Sequence, residues 1–468
     1  MQYDEIMNKK NIIMKKSLGI DYDKYKISSI AFNYEEMMAD TGYSLEDIKN
    51  IQKETAVGNT PLVELKHLTE LVRKISSPGK GARIFLKDES ANPSGSFKDR
   101  RASLSIHQAK SKGYKGVMAA TSGNYGAAVA SQAAKKGLDC IIIQEAFDSK
   151  GIAQPEITEK ARACEAYGAE VLRCSVGPEL FFLFLKILDE TNFFNASLYT
   201  PYSILGIETL GAEIADDLYT KEGRFPDVVV ITHAGGGNVT GTARGLLKRN
   251  ADKTKIIGAS VDLAGLHMAS DTDFNRKSFT TGHTGFGIPF AVWPDRADVV
   301  YNAARPLRYL EEYVTVTQGE VFYMTQALAE LEGMERGPAG NTSLTAAFAL
   351  ARQMDQQEII LVQETEYTGA GKHPTAQLNL AKKMGIKIKR GNPQDNIPGK
   401  QIVFPEHPSQ IKAEPVDLEK LRLSYFKKVA KNISKSEDLT NADFSFLSKD
   451  TRLDKIKVKE IMDAVLKE

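Results

Sequence analysis

The chain has 468 residues, room for two or three domains around a sizeable core. Its 61 Lys and Arg against 60 Asp and Glu leave no electrostatic case for nucleic acid or an anionic membrane surface. No run of about 18 apolar residues suggests a membrane helix, and the three cysteines (Cys140, Cys164, Cys174) lack metal-binding or CxxC spacing, so they read as reduced thiols of a cytosolic protein.

Residues 1–55 are polar and rich in Met and Lys, with helical spacing around Tyr34–Met38 and Leu45–Ile51. They read as an N-terminal helical extension, and Met1–Lys16 has no apolar segment of the kind a signal peptide needs. Gly58–Leu65 is a turn followed by a short strand. From Ile84 onward short apolar strands alternate with longer helical segments: Ile84–Lys87, Gly116–Ala120, Cys140–Gln144, Glu170–Arg173, Val228–Thr232, Ile256–Ser260 and Ile359–Gln363. That spacing predicts βα units and parallel sheets. A continuous apolar run such as Val228-Val229-Val230-Ile231 fits a strand covered on both faces. After about Gly391 the chain turns to Pro-containing pieces and then lysine-rich helical segments at Asp417–Ile433 and Lys455–Leu466, read as a C-terminal cap or partner surface.

Four motifs carry chemistry. Asn92-Pro93-Ser94-Gly95-Ser96-Phe97-Lys98-Asp99-Arg100 puts one lysine on a turn of small residues leading into a helix. Burial readily lowers a lysine pKa, which makes Lys98 a candidate imine former; by itself it reads equally as a surface lysine at a helix start. Thr121-Ser122-Gly123-Asn124-Tyr125-Gly126 is a polar turn between strand and helix, able to hold a carboxylate on its N–H groups, or to be simple N-capping by Ser122 or Asn124. His233-Ala234-Gly235-Gly236-Gly237-Asn238 follows an apolar strand and precedes a helix, a cradle for a phosphate on backbone N–H groups. Thr368-Gly369-Ala370-Gly371-Lys372 follows the last apolar strand, and Thr368, or its neighbour Thr365, could meet a ring nitrogen. No GxGxxG fingerprint with a downstream acid and no Walker sequence is present. Together the motifs ask for a phosphorylated aldehyde held by Lys98: pyridoxal 5'-phosphate (PLP). His283, in the Thr281–Gly287 loop, reads better as a loop residue than as a catalytic one, and Cys140 as buried strand rather than nucleophile.

These motifs, in this order over about residues 56 to 390, resemble the fold-type II PLP enzymes: threonine synthase, the tryptophan synthase β subunit and cysteine synthase. The resemblance implies an α/β, tryptophan synthase β-like architecture, with two open parallel-sheet domains and the cofactor between them. The expected divisions are 1–55 as helical extension, 56–92 with 205–390 as the large PLP-binding domain, 93–204 as the small α/β domain and 391–468 as a helical tail. It further implies Lys98 as Schiff-base lysine and Asn124 at the cofactor's 3-oxygen. Thr121, Ser122 and Gly123 would surround the substrate carboxylate, Gly235, Gly236, Gly237 and Asn238 the phosphate, and Thr368 the ring nitrogen. The whole chain is most similar to the β-subunit family of 2-amino-4-oxopentanoate thiolases. That similarity implies thiolytic cleavage by coenzyme A to acetyl-CoA and alanine in ornithine degradation of anaerobic bacteria. It also implies a small α subunit, a homodimer of this chain and a cytoplasmic location. A threonine synthase-like or other β/γ-eliminating lyase stays open as an alternative, as does a non-catalytic PLP-fold subunit.

Overall fold

The computed structural model describes residues 3–121, 123–148, 150–153, 155–175, 179–264, 298–367, 374–431, 433 and 438–467. The strands in chain order are β1 (Leu62–Glu64), β2 (Arg83–Asp88), β3 (Gly116–Thr121), β4 (Asp139–Phe147), β5 (Glu170–Ser175), β6 (Phe193–Asn195), β7 (Val228–Thr232), β8 (Lys255–Val261), β9 (Glu312–Val316), β10 (Ile359–Glu364), β11 (Lys387–Gly391), β12 (Gln401–Pro405) and β13 (Glu414–Pro415). A four-stranded sheet, β5-β4-β3-β6, is parallel throughout. A seven-stranded sheet, β1-β2-β10-β7-β8-β9-β13, is parallel except where β1 and β13 join antiparallel at its two edges. The parallel pair β11-β12 stands apart. The seven strands expected from the sequence fall at β2, β3, β4, β5, β7, β8 and β10. All five residues of β7 and all six of β10 are buried, which is why their sequences show no alternation.

Among the described residues no helix is long and apolar enough to cross a membrane. The helix that organises the centre is Pro201–Glu222. It begins on Thr200, whose Oγ1 accepts from the Ser203 N–H at 3.2 Å, with proline at its first position. It packs on the helix Lys98–Ser111 and on the helix Gly237–Leu247. Glycines let the backbones touch. A Cβ on Gly206 would lie 2.1 Å from the Arg100 carbonyl oxygen, and one on Gly211 would lie 2.0 Å from that of Thr242. This packing sets the lysine helix and the glycine-turn helix at a fixed separation.

The two ends of the chain meet over one internal segment. Arg305 and Arg308 both pair with Asp450 of the tail helix Asn441–Thr451, and Tyr425 donates to the same carboxylate at 2.6 Å. From the N-terminal side, Tyr34 sits 3.1 Å from an Arg305 nitrogen and Glu35 pairs with Arg308. Between these arginines Pro306 presses on Gly236, where its Cγ would stand 2.4 Å from an added Cβ. Extension and tail thus brace the back of the glycine turn.

Candidate active site

The three glycine turns inside the described residues follow the carboxyl ends of β3, β7 and β10 or face them, the usual ligand edge of open α/β sheets. The lysine turn is held from two directions. Asp99 takes the Ser94 N–H at 2.7 Å and the Ser94 hydroxyl at 2.6 Å on one oxygen, and Gln132 donates to the other at 3.2 Å. Burial pushes the Asp99 carboxyl up to about 6, against the pull of those hydrogen bonds. On the other side the turn runs along the chain after β10: the Phe97 N–H donates to the Thr365 carbonyl at 3.1 Å and the Tyr367 N–H to the Gly95 carbonyl at 2.7 Å. Lys98 therefore opens its helix beside the stretch that leads directly to residue 368. Its Nζ stands 4.1 Å from the centre of the Phe97 ring.

The junction beneath this turn is made by Arg100, which is wholly buried. It forms a bidentate pair with Glu89 at 2.6 and 2.8 Å, and a second with Glu213 at 2.9 and 2.7 Å. The Arg100 guanidinium, with Lys87, holds the Glu213 carboxyl well below the usual range despite its burial. This ties the lysine helix to the end of β2 and to the long central helix.

At the second turn, Thr121 ends β3 and is buried, and the Gly123 N–H donates back to the Thr121 hydroxyl at 3.3 Å. The helix Asn124–Lys136 then starts with Gly123 in the capping position and no side-chain cap. Asn124 is thus the first residue of the helix rather than its cap, which disposes of simple capping by Asn124. Ser122 lies outside the described residues, as do Thr368, His283 and the Thr281–Gly287 loop.

The third turn is the most constrained. The His233 N–H donates to the Ala259 carbonyl at 2.8 Å, and Ser260 donates to the His233 carbonyl at 2.6 Å, fixing the turn to β8. Gly236, at φ 82°, is the helix cap and only glycine adopts that conformation freely. A Cβ on Gly235 would lie 1.8 Å from the Tyr199 hydroxyl oxygen, and one on Gly237 would lie 2.2 Å from an Arg101 nitrogen. The helix that follows, Gly237–Leu247, has no side chain capping its first N–H groups. The Asn238 amide nitrogen is buried with no partner among the described residues. Uncapped N–H groups at the positive end of a helix and an orphaned amide donor, on a turn whose glycines let Tyr199, Pro306 and Arg101 pack against the backbone, fit a phosphate monoester.

The profile of the family described as pyridoxal-phosphate dependent enzyme matches residues 53–365. A protein named 2-amino-4-ketopentanoate thiolase beta subunit, from an unknown prokaryotic organism, is 63% identical over 452 residues, covering 97% of this chain and 96% of that one. The chain belongs to this family of PLP-dependent enzymes. A second protein of the same name, from Acetoanaerobium sticklandii, is 58% identical over 468 residues, covering 100% of this chain and 98% of its own. Among solved structures, O-ureido-L-serine synthase superposes with a TM-score of 0.52 at 20% identity, over 69% of this chain and 92% of that one, a likeness of fold. The fold is thus the fold-type II one that the motifs implied, and the cofactor is PLP.

One residue of the site escaped the sequence reading. Arg101 lies one helical turn from Lys98 and stands over the same Phe97 ring, its guanidinium carbon 5.6 Å from the centre. An i, i+3 spacing from the lysine was the available signal. The cysteines are elsewhere: Cys140 is buried in β4 and burial pushes its thiol upward, far from nucleophilic form.

Proposed function

We propose that this chain is the β subunit of a thiolase that cleaves 2-amino-4-oxopentanoate with coenzyme A, giving acetyl-CoA and alanine. The observation that carries the reading is the end-to-end identity of 63% with a relative bearing that name, spanning extension and tail as well as the family core. In the overall reaction the C3–C4 bond of the substrate breaks, the thiol sulfur bonds to C4, and the thiol proton ends on C3. The same name carries a partner α subunit; coenzyme A as second substrate, a homodimer core and work in the cytoplasm during ornithine degradation of an anaerobic bacterium are further parts of the proposal.

When bound, PLP supplies an electron sink that stabilises negative charge on the substrate carbons. The chain's own residues do the rest. Lys98 would hold the cofactor's carbonyl carbon, and its amine would serve as the base at the substrate's α carbon. Gly235, Gly236, Gly237 and Asn238 would bind the phosphate and Asn124 the 3-oxygen, with Thr121, Ser122 and Gly123 assigned to the substrate carboxylate and Thr368 to the ring nitrogen. A hydroxyl at that nitrogen does not enforce its protonation, so the sink is milder than one paired with a carboxylate.

The test is a mass-spectrometric product assay on the PLP-loaded chain with 2-amino-4-oxopentanoate and coenzyme A, with and without the small partner. Acetyl-CoA and alanine in equal amounts are expected. No acetyl-CoA even with the partner present would sink the thiolase reading and favour elimination or replacement chemistry.

A further inference from the structure

Arg101 is a buried cation without a counter-ion among the described residues. It is 4% exposed. Its guanidinium makes one hydrogen bond among the described residues, from Nη1 to the Leu198 carbonyl at 3.2 Å, and its Nε has no partner. Leaving a charge in that state costs several kcal/mol unless something completes it. Burial accordingly pulls its pKa down to about 10, and only the hydroxyls of Tyr199 and Tyr125 act the other way.

Its position says what completes it. The Nη2 atom lies 2.2 Å from where a Cβ of Gly237 would be, and Gly237 is the first residue of the helix whose N–H groups carry no side-chain cap. The Tyr199 hydroxyl is 1.8 Å from the corresponding point on Gly235. The cation thus stands against the first residue of the uncapped helix, one position before the orphaned Asn238 amide.

We propose that Arg101 is a cofactor-binding residue that supplies the positive counter-charge to the PLP phosphate. Backbone N–H groups and a helix dipole amount to roughly half a unit of positive charge, whereas a phosphate monoester carries close to two negative charges at neutral pH. Arg101 closes much of that gap with a planar donor set suited to phosphate oxygens. It explains the buried arginine and the unsubstituted Gly237 together: a side chain there would displace the guanidinium. The inference rests on PLP being the cofactor and is independent of which substrate is cleaved.

The experiment measures cofactor affinity without turnover. The apo-protein is titrated with PLP and, separately, with pyridoxal, which lacks the phosphate, following the absorbance of the bound cofactor. Arg101→Met is expected to weaken PLP about 30-fold or more while changing pyridoxal affinity less than about twofold, so that the preference for the phosphorylated form collapses. Arg101→Lys is expected to recover part of that preference. Equal losses for PLP and pyridoxal would mark Arg101 as merely structural and overturn the proposal. So would unchanged PLP affinity, or a rise confined to the KM for coenzyme A, whose own phosphates are the competing source of such a contact. Should Arg101→Met fail to fold, the same ratio in Arg101→Lys decides, together with the phosphorus NMR signal of PLP in the wild-type chain. That signal is expected to stay at its dianionic position as pH falls through about 6, where free phosphate monoesters take up a proton. Titration like the free cofactor would overturn the assignment.

Discussion

Arg100 and Arg101 are consecutive residues of one helix, both buried, and they live in opposite electrostatic settings. Arg100 is enclosed by two carboxylates, Glu89 and Glu213, each held bidentate, and its guanidinium pKa is driven up. Among the described residues Arg101 has a single backbone carbonyl, and burial drives its pKa down. The difference separates what a buried charge does for folding from what it does for a ligand. A pair completed inside the protein fixes the geometry of a junction. A charge left incomplete is an instruction to bind something, here a turn away from Lys98 on the helix that opens the site. The first turn of Lys98–Ser111 thus points structure one way and chemistry the other.

The largest effect should come from the chemical side. Lys98→Ala is expected to lower acetyl-CoA formation by about 10⁴-fold or more while leaving the melting temperature of the apo-protein close to that of wild type; retained turnover would remove the lysine from the mechanism. The structural side should break differently. Arg100→Met leaves Glu89 without its cation and Glu213 with Lys87 alone, and is expected to cost about 3–5 kcal/mol in urea unfolding. Arg101→Met, in the apo-protein, should cost under about 1 kcal/mol or even stabilise, because it removes an uncompensated charge. Equal losses at the two positions would erase the distinction drawn between them.

A double-mutant cycle sharpens it further. Gly237→Ala should weaken PLP binding about tenfold or more through its clash with the Arg101 guanidinium. The same change made in an Arg101→Ala background should cost less, a coupling of about 1 kcal/mol. Strict additivity would show that the two residues do not share the phosphate surface. A further test concerns pH. Asp99 has a folded pKa raised to about 6 from 3.8, so the folded state binds more protons between those values. Its contribution is fully present below pH 3.8 and is lost as pH rises through 6. The stability of wild type relative to Asp99→Asn should therefore rise as pH falls across that window, by up to about 3 kcal/mol from a two-unit shift. A flat difference would mean that Asp99 is ionised throughout. Glu213, held low by Arg100 and Lys87, moves in the opposite sense and destabilises the fold as pH drops below its ordinary value of 4.5.

Much of the fold was legible because parallel, doubly covered strands write themselves as short β-branched runs, as Val228–Thr232 does. Strands of two or three residues, such as Phe193–Asn195 and Glu414–Pro415, carry too little pattern to be seen. Glu312–Val316 was missed for another reason. It pairs with β8 and with β13, which comes from a distant part of the chain, so its place in the sheet is not a local feature of its five residues.

The sequence by itself determined the cofactor motifs, because a lysine on a small-residue turn and three consecutive glycines before a helix need no neighbours to declare their chemistry. Only the tertiary structure decided what surrounds them. That the chain's two ends brace Gly236 through Arg305, Pro306 and Arg308 depends on Tyr34, Glu35 and Asp450 meeting across more than 400 positions. And whether a buried arginine is a strut or a binding group depends on the partners that folding brings to it, which is why Arg100 and Arg101 are alike in the sequence and different in the molecule.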